Sequence, residues 1–257
     1  MPPAVRRPDP ARIRLALSAQ WRALRTQVEG LEPADLAAPS SLPDWTVGEL
    51  IAHIADGIAA LTERLSHPPP DRVQTSIAEW ARRCAAQAPR LADEARELAA
   101  RGDSRELLTV AVARAENALD QVVNPQRLLW SPVGGIRLTD YLVTRVIEAV
   151  VHADDLDPDF PHDRVALGSC VRALAEILAG TVPGSSVELR VPPFAAVQCV
   201  PGPRHTRGTP PGVVEVDPLT WVRLATGRAR WSDAAADGRL HASGERTDLS
   251  RFLPVLA

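Results

Sequence analysis

The stretch Leu138–Asp155, LTDYLVTRVIEAVVHADD, decides the fold. It reads as one helix carrying Glu148 and His152 four residues apart. At about 100° per residue, such a pair lies on one face, one turn apart. Tyr141 and Arg145 fall on the same stripe. Around it stand Leu142, Val143, Val146, Ile147, Ala149, Val150 and Val151, and a helix apolar nearly all round is a buried one. A polar stripe on a buried helix must be satisfied, because unpaired buried charge is expensive. Glutamate and histidine one turn apart suit a divalent metal, with a third ligand supplied from elsewhere in the chain.

Upstream, the chain reads as helices. Residues 9–29 place Ile13, Leu17, Trp21, Leu24 and Val28 on one stripe, and Asp9-Pro10 is a helix start. After a Pro-rich loop, Thr46 and Glu49 form a T-x-x-E capping box. The helix it opens has Leu50, Ile54, Ile58, Leu61 and Leu65 on its core face, with His53 beside them; SHPPPD ends it. A third helical region spans about 73–101, shifted near Pro89, and a fourth about 104–123, stopped by Asn124-Pro125. SPVGG at 131–135 is a turn. Residues 1 to about 157 are therefore expected to be all-helical, a bundle.

The run Asp157-Pro-Asp-Phe-Pro161 marks a boundary. One more helix, about 164–179, leads into β-like runs at 187–191, 196–200 and 213–216, separated by Pro and Gly clusters. Asp217-Pro218 starts a short helix, and Asp248 is a candidate start for another. PGPRHTRGTPPG reads as a loop or hairpin. The expected architecture is a two-domain α+β chain, a helical bundle over 1–157 and a smaller α+β domain over 163–257.

The chain has 257 residues, 45% apolar and 24% charged, enough for a sizeable core. A formal net charge of -3 gives no reason to expect nucleic acid or an anionic membrane as partner. All 29 cationic residues are arginine, which excludes a Schiff-base or Walker-type lysine. Cys84, Cys170 and Cys199 form no motif, as fits a reducing cytosol. No stretch approaches the roughly 18 apolar residues of a membrane span, and no signal peptide is visible. A cytoplasmic location is the expectation.

The candidate constellation is His53, Glu148 and His152. Three N/O ligands from two helices, with a position left for water or substrate, is the layout of a catalytic metal site. Two imidazoles and a carboxylate suit Zn²⁺, and also Ni²⁺, Mn²⁺ or Fe²⁺. The competing reading pairs Glu148 with Arg145 or Arg114 and leaves both histidines as ordinary polar residues. Asp56, one turn after His53, is either an acceptor orienting that imidazole or a surface charge. His67, His162, His205 and His241 lie in poor contexts, and there is no G-x-S-x-G, G-x-G-x-x-G or P-loop.

SLPDWTVGELIAHIA, with Trp45, Thr46, Val47 and His53, resembles the N-terminal signature of the mycothiol-dependent maleylpyruvate isomerase family, within the DinB-like metal-binding bundles. VTRVIEAVVHADDL resembles its second signature through Arg145, Glu148, His152, Asp155 and Leu156. The run from Asp217-Pro218 through LATGR to DLSRFLP resembles the sterol-carrier-like domain that follows the bundle in that family. The resemblance implies a DinB-like four-helix bundle with a divalent metal, usually zinc, at His53, Glu148 and His152. It also implies mycothiol, a low-molecular-weight thiol, as cofactor or co-substrate. A metal with an open position binds a thiol as thiolate, and the thiolate adds to an activated double bond. Rotation and expulsion of the thiol is isomerisation; release of the adduct is thiol transfer. Arg145 either holds a substrate or thiol carboxylate or pairs with a neighbouring acid. Arg246, and after it Arg239, is the candidate arginine from the second domain. The expected partners are a small electrophilic substrate and the thiol, in a monomer or homodimer. The alternative is a binding protein carrying an apolar ligand in its sterol-carrier-like half, and fold alone does not decide between them.

Overall fold

A computed structural model of the chain describes residues 8–202 and 211–256. The described chain divides into two compact units. One runs to Ser76 and resumes over Pro89–Ala166; the other comprises Ile77–Ala88 and the chain from Leu167 onward.

In the first unit four long helices carry the core: α1 (Pro10–Glu29), α3 (Val47–Ser66), α6 (Ser104–Asp120) and α7 (Leu138–Leu156). α1 packs on α6 and α7, and α3 on α6 and α7, so each helix has two neighbours and the four close a bundle. The expected stripes face inward: Ile13, Leu17, Trp21, Leu24 and Val28 on α1, and Leu50, Ile54, Ile58 and Leu61 on α3, are buried. Burying such a side chain stabilises by about 1.5–3 kcal/mol. Local signals set the helix starts. Asp9 accepts from the Ala11 N–H at 3.0 Å. Thr46 and Glu49 close the capping box, Glu49 N–H to Thr46 Oγ1 at 3.2 Å and Thr46 N–H to Glu49 Oε2 at 2.7 Å. α2 (Pro33–Leu36) is a single turn in the loop between.

Two expectations for this half are corrected. It is not all-helical: β1 (Leu128–Ser131) and β2 (Gly134–Arg137) form an antiparallel hairpin where a turn was expected. Gly135 faces the chain near Arg72, whose carbonyl oxygen would stand 2.6 Å from a Cβ there. The Gly135 carbonyl accepts from Gln74 and Thr75, so the strand is held by a backbone approach from a distant segment. The expected third helix is two, α4 (Ile77–Cys84) and α5 (Ala88–Arg101), joined by a 3₁₀ turn, and residues 73–76 are not helical.

The second unit contains most of α8 (Arg164–Thr181) and a four-stranded sheet in the order β4-β3-β5-β6. Its strands are β3 (Val187–Val191), β4 (Ala195–Cys199), β5 (Gly212–Val216) and β6 (Leu240–Gly244). β3 pairs antiparallel with β4 and parallel with β5, and β5 pairs antiparallel with β6. α9 (Pro218–Ala225) is capped by Asp217, and α10 (Trp231–Ala236) precedes β6. The helix expected after Asp248 is only a 3₁₀ turn, Ser250–Phe252. The central part of the expected PGPRHTRGTPPG loop, with His205, lies outside the described residues. Among the described residues no helix is long and apolar enough to cross a membrane.

Candidate functional site

α3 and α7 bring the sequence-derived residues together. His53 and His152 meet with ring centroids 5.0 Å apart at 87°, and Trp45, just before the capping threonine, meets His53 edge-on at 5.6 Å. His53, Arg145, Glu148 and His152 line one narrow cavity with Trp21 of α1 and Gly57 of α3. Its volume of about 10 Å³ is room for one water- or ion-sized sphere. Gly57 belongs to the cavity's construction: a Cβ there would stand 3.3 Å from Glu148 Oε2 and 3.5 Å from the Arg145 guanidinium.

Each polar group has a defined partner. His152 Nδ1 lies 2.9 Å from Asp155 Oδ2, one turn on and nearly fully buried. A carboxylate there favours the tautomer with the proton on Nδ1 and leaves Nε2 as the lone-pair nitrogen. Glu148 takes both its hydrogen bonds here from one residue: Arg145 donates to Oε2 at 2.5 Å and to Oε1 at 2.6 Å. Arg145 is buried, donates through Nε to Thr144 Oγ1 at 3.2 Å, and lies over the Tyr141 ring at 4.8 Å. Arg64 of α3 donates to the Tyr141 hydroxyl at 3.1 Å. Burial, and then the neighbouring charges of His152 and Arg145, push the His53 pKa down to about 3 against the raising effect of Asp155. His53 is therefore a neutral imidazole at physiological pH.

Of the alternatives left open by the sequence, Arg145 pairs with a neighbouring acid, Glu148. Asp56 does not orient His53. It lines a different cavity on α3, and its carboxyl is raised above the ordinary range by burial and then by Glu94. The carboxylate that orients a site imidazole is Asp155 on His152, and the signal for it was the three-residue spacing in HADD. Among the described residues, no three His, Cys, Asp or Glu side chains stand together as a ready metal-ligand cluster, Glu148 being turned to Arg145. Arg246 follows β6 with φ 60°, lies beside Gly202 and pairs with Glu245 at 3.5 Å; Arg239 pairs with Asp237 at 2.7 Å. His67 lies 3.7 Å from Glu63, and His162 packs on Phe160.

Residues 17–157 match the family model described as the mycothiol maleylpyruvate isomerase N-terminal domain. The chain belongs to the mycothiol maleylpyruvate isomerase family. It belongs, that is, to a family of thiol-dependent enzymes. Residues 163–255 match the model for the bacterial SCP ortholog, the sterol-carrier-like half. Two crystal structures of mycothiol-dependent maleylpyruvate isomerase, one a histidine-to-alanine mutant, share the architecture at 19% identity. The mutant has a TM-score of 0.63 and the other structure 0.61; each match covers 93% of this chain and 95% of the other. No curated protein matches the chain in sequence. The family thus agrees with the α+β two-domain architecture, a helical domain followed by a sterol-carrier-like one.

Proposed function

We propose that this family member is a thiol-dependent isomerase of small electrophiles with an activated cis double bond. The thiol is mycothiol, and a divalent ion, zinc by preference, is held by His53, Glu148 and His152. The observation that carries the reading is the convergence of these three side chains on one ion-sized cavity between α3 and α7.

The donor set fits an ion. His53 is kept neutral by its surroundings, as a ligand must be. His152 has one nitrogen tied to a buried carboxylate, the support that ligating histidines commonly have. Glu148 has the carboxylate, at present shared with Arg145. Two nitrogens and an oxygen leave a coordination position open. When bound, the ion would supply Lewis acidity, letting a thiol lose its proton near neutral pH.

The residues divide the remaining work. Asp155 holds the His152 ring in one tautomer and orientation. Trp45 and Trp21 wall the imidazoles, and the cavity's narrowness limits water. A thiolate that adds to one carbon of the activated double bond leaves a single bond that rotates. Expelling the same thiolate restores the double bond with the opposite geometry, so the thiol is regenerated and no oxidant is consumed.

The test joins elemental analysis to turnover. About one equivalent of zinc in the purified protein, lost in His152→Ala, together with mycothiol-dependent cis–trans isomerisation, is the expected result. No ion in either protein after incubation with zinc overturns the metal reading. Turnover unchanged by omitting thiol overturns the isomerase reading.

A further inference from the structure

Glu148 stands between two positive claims. Both of its oxygens accept from Arg145, at 2.5 and 2.6 Å, while the carboxylate also lines the cavity shared by His53 and His152. The pair is open to that cavity because Gly57 has no side chain: a Cβ would crowd Glu148 Oε2 at 3.3 Å. Arg145 is otherwise anchored along its length, through Nε to Thr144 and by its stack on Tyr141, so its guanidinium stays where it is when Glu148 moves.

We propose that Glu148 is shared by exclusion: uptake of a divalent ion between His53 and His152 draws the carboxylate off Arg145, and the released guanidinium becomes the binding group for a small carboxylate anion. The inference rests on the metal reading above and adds an order to it, ion first and anion second. The two N–H groups that Glu148 surrenders face the cavity, and a buried guanidinium with its planar fork is matched best by a carboxylate. The coupling is reciprocal, so the anion also tightens the ion by the same factor.

Tyr141 is the only tyrosine in the chain, and it lies under Arg145. Ring-¹³C tyrosine labelling therefore gives a single reporter beside the guanidinium. Zinc is titrated into the metal-free protein, then succinate, with bound zinc measured in parallel and succinate affinity by calorimetry. Zinc is expected to shift the Tyr141 signal. Succinate is expected to bind the zinc-loaded protein at least about tenfold more tightly than the metal-free one. Glu148→Gln binds succinate at the tighter level without zinc, and Arg145→Gln takes up zinc but shows no zinc-dependent gain. Bound zinc with an unmoved Tyr141 signal and equal succinate affinity overturns the exclusion while leaving the metal reading intact. A gain that survives in Arg145→Gln places the anion on the ion and also overturns it. Absence of zinc binding in the unaltered protein overturns the metal reading, and this inference with it. The unaltered protein and Arg145→Gln decide the matter even where Glu148→Gln does not fold.

Discussion

α7 and α5 are helices of one bundle unit with opposite use of charge. α7 buries fifteen of its nineteen residues, among them Arg145, Asp154 and Asp155; α5 buries only Ala95 of its fourteen. Both carry arginine–carboxylate pairs at helical spacing. On α5, Arg90–Glu94 and Arg101–Glu97 stand in water at 2.7 and 2.9 Å. On α7, Arg145–Glu148 spans a cavity wall with its arginine only 9% exposed. The same spacing thus yields a solvated helix face in one case and a site in the other. Water screens and competes for the first pair, whereas the second has few substitutes for either partner.

The contrast can be broken most severely at Glu148. Glu148→Ala leaves a buried guanidinium without its bidentate partner and is expected to cost about 2–4 kcal/mol, read as a large drop in Tm. A loss as small as at an α5 pair would show that Arg145 is not desolvated in the way its burial indicates. Asp155→Asn comes next. It is expected to weaken zinc binding about 10- to 100-fold by freeing the His152 ring, checked by competition with a chelator. Thr46→Ala removes half of the capping box on α3 and should cost about 1 kcal/mol by denaturant titration. Arg101→Ala on α5 is expected to cost less than about 0.5 kcal/mol, and less still in high salt. The smallest effect concerns pH. Asp103, the N-cap of α6, is held at a pKa of about 2, first by its hydrogen bond from the Arg105 side chain. Its folded pKa lies below the unfolded value of 3.8, so its contribution is present above about pH 4 and is lost as pH falls towards 2. Asp103→Asn should flatten the stability curve in that window and leave it parallel to the original at neutral pH.

Much of this was readable residue by residue. The α1 and α3 stripes, the capping box, the burial of α7 and the common face of Glu148 and His152 follow from periods that repeat within one helix. So did the change of pattern after Asp157, since Pro clusters and alternating runs are local signals. The β1–β2 hairpin was not readable, because two strands of four residues, one opening Gly-Gly, contradict strand propensity. What makes Gly135 a strand residue is the approach of the chain around Arg72 and Gln74, far away in sequence. The orienting carboxylate illustrates the same limit. Asp56 and Asp155 are each one turn from a candidate histidine, and only the packing of α3 on α7 and α6 sends one to an imidazole and the other to a different cavity.

By itself the sequence determined the helices, their buried faces, the family signatures and the residues competent to ligate an ion. Those properties reside in local periodicity and side-chain type, and neither needs a partner. Only the tertiary structure decided that His53 meets His152, that Gly57 makes room for an ion pair, and that Glu148 is held by Arg145. A carboxylate's choice among partners is set by distance and desolvation across the helix interface, and no spacing along one chain encodes either.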